Sequence, residues 1–369
     1  MRTESTELPR VFPTVVHMLD DAAARAPDAT ALVCGERRLS YAQYRRCVAG
    51  FAHELLAHGA RGSRVALVLG NSIEMAIAMF ATHAAGAQAT PINPIYTARE
   101  LTHIVGDAQP AVLLYDGDSA ATVEPLLAAL AVPTAIRLGS GGRLLDAWRD
   151  DPAQSLPQPL PEPDSLATLQ YTGGTTGLPK GVNITHRQMA VNISQREAAL
   201  PTRADDESVL CTMPLFHVFA VAMCLHLACC CRGKLVILPR YRPDWVLEAL
   251  RRERITRLPA GPTIFIGLMG FEGFAQADFS SLRTSYSGSA PLPQEVLERW
   301  QARTGTPILE GYGQSEAGPV LSYVREGAPI KPGSSGPALP LTEIEIVDAK
   351  DGTTRLPPGE VGEIRARGP

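Results

Sequence analysis

Between Leu169 and Val182 the chain reads LQYTGGTTGLPKGV. Nine residues of this stretch hold Thr172, Gly173, Gly174, Thr175, Thr176, Gly177 and Lys180. A short loop of this kind exposes backbone N–H groups, adds hydroxyl donors and supplies one fixed positive charge. That set suits an anion with many oxygens, a polyphosphate above all. The loop is not a Walker A loop, in which a glycine, four residues and a second glycine precede lysine and a hydroxyl residue. Counting from Gly173, the second glycine would fall at Leu178, and Lys180 is followed by Gly181. A P-loop kinase or GTPase is therefore excluded by spacing.

Three later stretches fall in an order that gives the loop a context: Met213-Pro214-Leu215-Phe216-His217, Ser287-Gly288-Ser289-Ala290-Pro291, and Glu310-Gly311-Tyr312-Gly313-Gln314-Ser315-Glu316. With TGGTTGLPKG they resemble the motifs of the adenylate-forming superfamily, which includes acyl-CoA synthetases, luciferases and nonribosomal adenylation domains. The run from LSYAQYRR to NPIYTARE is similar to that family's opening lobe, so the resemblance covers nearly the whole chain. The second glycine of LQYTGGTTG, where many members carry serine, is most similar to long- and medium-chain fatty acid–CoA ligases. MPLFHVFA and GPTIFIGLM point the same way.

The resemblance implies a reaction. A carboxylate attacks the α-phosphate of ATP, pyrophosphate leaves, an acyl adenylate forms, and a thiol, coenzyme A, displaces AMP. Catalysis of this type is mostly positioning and charge neutralisation. Thr172, Thr175, Thr176 and Lys180 would hold the β- and γ-phosphates, with Gly173, Gly174 and Gly177 shaping the loop. Gly288, Ser289, Ala290 and Pro291 would form the turn beside adenine, and Tyr312 would offer it a flat face. Gly311 and Gly313 would admit a close backbone approach. Ser315, where the family usually has threonine, would reach the α-phosphate, and Glu316 would help to hold Mg²⁺. His217 is read as lining the passage for the acyl carboxylate and thiol. Glu310 either orients the following turn or ends a strand. His186 fits a helix start and His226 a core position. Val218, Phe219 and Met223, with Ile264 and Phe265, are candidates for an acyl pocket, but apolar helix faces of this kind are far more often core.

These residues need a scaffold, and 369 residues with 45% hydrophobic and 20% charged content provide a sizeable soluble core. A net charge of −4 gives no general attraction to nucleic acid. MRTESTELPRVF has acidic residues and no apolar h-region, so no secretory signal is expected. The apolar run Val218 to Cys231 is short for a membrane span and fits a buried helix. Seven cysteines, three of them adjacent at Cys229, Cys230 and Cys231, lack zinc-ligand spacing and read as reduced, buried thiols.

Strands alternating with helices predict an α/β fold with mainly parallel sheets. Pro152, Pro157, Pro159, Pro161 and Pro163 predict an extended connector. The expected organisation is an N-terminal α/β lobe over 1–165, a second α/β lobe over 166–330, and over 331–369 the start of a small antiparallel barrel. The family's ribose-binding aspartate, hinge and lysine-bearing C-terminal domain find no counterpart in this sequence. Loss of such a lysine is of the order of an oxyanion donor, about 3–4 kcal/mol, so the chain alone is expected to turn over poorly. The expected activity is an AMP-forming acid–thiol ligase acting on a fatty acid in the cytoplasm. Peripheral membrane contact, a carrier protein or a separately supplied C-terminal domain are left open as partners. A carrier-loading acyl-AMP ligase and a non-catalytic nucleotide- or acyl-binding remnant are the competing readings.

Overall fold

The computed structural model describes residues 8–173 and 179–369. Two mainly parallel sheets dominate it. The first has six strands in the order Thr134–Leu138, Val112–Asp116, Arg64–Val68, Gln88–Pro91, Leu166–Thr172 and Lys180–Thr185. The second has eight, in the order Val320–Tyr323, Ile308–Gly313, Thr284–Ser287, Arg257–Ala260, Ser208–Cys211, Lys234–Ile237, Thr30–Cys34 and Arg37–Ser40. Short apolar runs such as Val65–Val68 and Val209–Cys211 form these strands because both sheet faces are covered.

Sheet membership does not divide at residue 165. Leu166–Thr172 pairs in parallel with Gln88–Pro91 of the first sheet, through Ala89 and Thr168. Conversely, Thr30–Cys34 pairs in parallel with Lys234–Ile237 of the second sheet. The proline-rich stretch is an extended connector, but chain order alone does not say which sheet edge a strand joins. The final segment is a two-stranded antiparallel ribbon, Glu343–Val347 with Glu363–Arg367.

A helical layer separates the sheets. Val15–Arg25, Tyr41–Ala57 and Ile73–Ala84 share one buried cluster with inward residues of both, among them Leu67, Leu114, Leu235 and Tyr286. Ile73–Ala84 is buried on every side, which explains its near-absence of charge. Its Glu74 is 2% exposed and is held by Arg37 at 2.7 and 3.0 Å. A capping box at Ser40 opens the helix Tyr41–Ala57, with Gln43 reciprocating. Outer helices cover the far faces: Pro243–Arg252, Pro262–Met269 and Gln294–Thr304 on the second sheet, Ala98–Ala108 on the first. The apolar run forms a buried helix over 218–230, with a π-helical stretch at Val221–His226. Among the described residues no helix is long and apolar enough to cross a membrane. All seven cysteines are free thiols, and most are buried.

Arg257 pins the second sheet. It is 1% exposed and bonds Glu207 at 2.9 Å, Glu326 at 3.0 Å, the Pro201 carbonyl at 3.0 Å and the Tyr286 hydroxyl. Burial pushes the Glu207 carboxyl up, but Arg257, Thr256 and the Arg203 N–H together hold it below its usual range. Replacing Glu207 with alanine leaves the buried guanidinium with Glu326 as its remaining carboxylate partner, so urea unfolding should register a loss of about 3 kcal/mol, the low end for breaking a buried pair.

His186 and His226 are buried and neutral, their pKa values lowered to about 4 and about 3, chiefly by desolvation. For such groups folding stability is full above the ordinary imidazole pKa and is lost as pH falls through the folded value. Urea midpoints between pH 6.5 and 4 should therefore fall with pH. Each imidazole should contribute a slope of about 1.4 kcal/mol per pH unit, and replacing His226 with glutamine should remove one such contribution.

Candidate active site

Parallel strands present their carboxyl ends to one edge, where α/β proteins place ligands. Here the carboxyl ends of both sheets converge. Thr172 ends a strand of the first sheet and pairs with Lys180 across a hairpin. Thr284–Ser287 and Ile308–Gly313 of the second sheet lead into Gly288-Ser289 and Gly311-Tyr312-Gly313. Met213 to His217 follows the strand Ser208–Cys211.

Asn71 joins the two edges. Its Nδ2 donates to the carbonyls of Met213 at 2.9 Å and Leu238 at 3.2 Å, and its Oδ1 accepts from the Leu215 N–H at 2.7 Å. The segment carrying His217 is thereby fixed from the first sheet. His217 caps the helix it precedes: its Nδ1 accepts from the Phe219 N–H at 3.2 Å. Desolvation lowers its pKa, so the ring is neutral and its proton sits on Nε2.

Two cavities meet at His217 and Ser315, which line both. One, of about 220 Å³, is walled by Phe219, Gly288, Ser289, Tyr312 and Tyr323. The other, of about 300 Å³, is walled by Asn93, Tyr96, Gln170, Thr172 and Gly173. Three of the four motifs and the start of the fourth thus open on one cleft. Gly174, Thr175, Thr176 and Gly177 lie outside the described residues. Lys180 is exposed at the hairpin end. Tyr312 is half-buried, and its hydroxyl accepts from Gln314 at 2.6 Å. Ser289 holds a left-handed φ of 68°, a conformation that serine rarely adopts.

Other expected residues stand outside the cavity walls. Ala290 and Pro291 are exposed on the turn beyond Ser289. Glu310 orients the turn that follows its neighbouring strand: its carboxylate accepts the Leu292 N–H at 3.1 Å, and its carbonyl accepts from Val324. Burial raises its pKa. Glu316 is exposed on the turn Ser315–Ala317, which packs beside the strand Lys180–Thr185. No hydrogen bond or ion pair engages it among the described residues, so its carboxylate is available to a hard cation that keeps most of its own water and phosphate oxygens. Of the acyl-pocket candidates, Val218 and Phe219 line the cleft, whereas Met223, Ile264 and Phe265 are core.

Two amide side chains act as positioning residues, Gln170 inside the LQYTGGTTG stretch and Asn192 outside any motif. Gln170 donates to the Phe216 carbonyl at 3.2 Å. Asn192 brackets Val320, donating to its carbonyl at 2.7 Å and accepting from its N–H at 3.0 Å. Single amides within a strand or a helix give no local signal of a long-range partner.

A methyl group at Gly311 would overlap the Tyr323 ring, and one at Gly288 would come within 2.7 Å of Phe219. Gly311→Ala should lower stability by about 1–3 kcal/mol through overpacking. It should also displace Tyr323 from the cavity wall, so thermal melting and nucleotide affinity should fall together.

Comparison with known proteins agrees with this geometry. The family of AMP-binding enzymes matches residues 19–369. The chain is 32% identical to a long-chain-fatty-acid–CoA ligase of Escherichia coli O6:H1 over 398 residues, covering 98% of this chain and 70% of that protein. It is 35% identical to a feruloyl-CoA synthase of Amycolatopsis sp over 349 residues, covering 94% and 68%. Among solved structures, ATP-bound MatB from Rhodopseudomonas palustris superposes with a TM-score of 0.86 at 27% identity, covering 96% of this chain and 70% of that one. With the motif-bearing strand ends gathered on one cleft and the family match running over nearly the whole length, the chain belongs to the AMP-binding enzyme family, alongside its CoA ligases.

Proposed function

We propose that this protein activates a fatty acid with ATP to an acyl adenylate and then transfers the acyl group to coenzyme A. The observation that carries the reading is the shared cleft. His217 and Ser315 line both of its cavities, with Thr172 on one side and Tyr312 and Ser289 on the other. An acid and a nucleotide can therefore meet across these two residues.

In the first step a carboxylate oxygen attacks the α-phosphorus and the bond to pyrophosphate breaks. Thr172 and Lys180 screen the negative charge gathered there, together with the loop hydroxyls Thr175 and Thr176. Ser315 donates to an α-phosphate oxygen. Tyr312 and the Gly288–Ser289 backbone hold the base. Glu316 would hold Mg²⁺, which would supply charge neutralisation when bound. The neutral Nε2–H of His217 is a donor suited to orienting an acyl oxygen. In the second step the thiol sulfur attacks the acyl carbon, AMP leaves, and the thiol proton passes to solvent.

The free, largely buried thiols support action in the reducing cytoplasm. A second reading, an aromatic acid as substrate, draws on the Phe219, Tyr312 and Tyr323 walls and on the identity to a feruloyl-CoA synthase.

The test is acid-dependent pyrophosphate release with ATP and Mg²⁺ over a panel of fatty and aromatic acids, with coenzyme A or a phosphopantetheinyl carrier as acceptor. Fatty acids with coenzyme A should give the highest turnover. Release that is independent of any acid would sink the reading. Lys180→Ala should lower kcat about a hundredfold, the scale for removal of one charge-stabilising donor, with little change in the melting temperature.

A further inference from the structure

A cavity of about 490 Å³ lies on the outer face of the second sheet. It is larger than either cavity of the cleft and shares no lining residue with them. Val33, Val236 and Leu238 of two paired strands form its floor, and Trp245 and Ala249 of the helix Pro243–Arg252 form one wall. A mostly apolar hollow of this size, with a few polar groups at its margin, is the usual form of a site for a small organic ligand.

The charges around the hollow define the head of that ligand. Glu248 pairs with Arg251 at 2.8 Å, Arg252 with Glu36 at 2.8 Å, and Glu253 with Lys234 at 2.9 Å and with Arg38. Each charged group in the lining is therefore answered within the protein. At the other end of the helix from Arg252, two guanidiniums lie over the Trp245 ring, Arg242 at 4.9 Å and Arg240 at 5.5 Å. Arg242 is held by Asp244 at 2.6 Å. Arg240 directly follows Pro239 of the cavity wall, and its guanidinium has no hydrogen bond or ion pair among the described residues. One end of an apolar space thus offers a cation that no carboxylate neutralises. From Trp245 to Arg252 the helix rises about 10 Å, at roughly 1.5 Å per residue, which is room for an alkyl chain of moderate length. A neutral apolar ligand would leave Arg240 unanswered, and a cationic one would meet it as a like charge. A carboxylate with an alkyl tail matches both features.

We propose that this cavity is a second, non-catalytic site for a monomeric fatty acid, its chain along Trp245 and Ala249 and its carboxylate on Arg240. The inference goes beyond the activation reading and does not depend on it, because the acid is defined by the chemistry of the cavity itself.

The test is quenching of tryptophan fluorescence by decanoate brominated at its terminal carbon, kept below its critical micelle concentration. Trp300 is fully buried and Trp148 packs on Phe51, so Trp245 is the ring that the acid should reach. Quenching should saturate in the unmodified chain and be abolished by Trp245→Phe. Arg240→Ala should weaken binding about tenfold, the scale of one lost charge-assisted hydrogen bond, and Arg240→Lys should retain most of it. The methyl ester should bind the unmodified chain as weakly as the acid binds Arg240→Ala. Quenching that persists in a folded Trp245→Phe protein places the acid elsewhere, the catalytic cleft included, and overturns the proposal. Equal affinity for acid and ester does the same. So does the absence of saturation with the monomeric acid, whether the protein then sediments with anionic phospholipid vesicles, which would give the surface to a bilayer, or forms a dimer that Ala249→Arg dissociates, which would give it to a second copy. Acid-dependent pyrophosphate release is recorded in parallel. Saturable binding at Trp245 without any release sinks the activation reading and leaves this one standing, and release without binding at Trp245 does the reverse.

Discussion

The cleft depends on how two sheet edges are held together, and the Asn71 amide is the bond that does this most directly. It uses both its donor and its acceptor on backbone groups from the opposite sheet. Each of those backbone groups is buried or nearly so, and leaving one unpaired costs about 1–3 kcal/mol. The amide therefore fixes a relative position as well as adding stability. Around it, the helical layer is pinned by polar tips on apolar bodies. Tyr41 bonds the carbonyls of Gly233 and Ala228, and Tyr44 bonds that of Ala76. The Arg37–Glu74 pair, with Asp146, closes the layer at one end.

With the edges fixed, the cleft needs little further construction. Its walls are strand ends and the short turns that follow them, so backbone dominates its surface. That explains the glycines. Gly311 leaves room for the Tyr323 ring and Gly313 for the Pro319 carbonyl. The Tyr323 hydroxyl in turn bonds the Ser287 carbonyl at 3.1 Å, so the ring that fills the glycine gap also braces the turn after Ser287. Glu310 braces the same turn from the other side through Leu292. A residue inside a binding motif can thus serve the motif without facing the ligand.

Polar groups buried in the layer behind the cleft fall into two kinds. Arg257 and Glu207 pair with each other, and their network holds strands in register although Arg257 Nε has no partner. Arg196 and His226 are left with unpaired nitrogens at the wall of a cavity. The first kind is explained by the fold alone. The second is met only in part, Arg196 by Glu197 and the Ala222 carbonyl at 3.4 Å each.

Much of this was legible in residue order. The glycine-threonine loop, its failure as a Walker loop, and the three later motifs identified the family and the cleft residues. The apolar run Val218 to Cys231 located a buried helix to within a few residues. Strands such as Gln88–Pro91, Lys180–Thr185, Arg257–Ala260 and Val320–Tyr323 are not legible in this way, because runs of four to six mixed residues carry too little pattern. The exchange of strands between sheets is not legible either, since edge choice depends on pairing partners far along the chain. The proposed chemistry is local and so is read from the sequence: a phosphate loop would need its hydroxyls, glycines and lysine close together. Asn71, Asn192 and Glu310 acquire their meaning from partners distant in sequence. Only the tertiary structure decided which of them clamps and which braces.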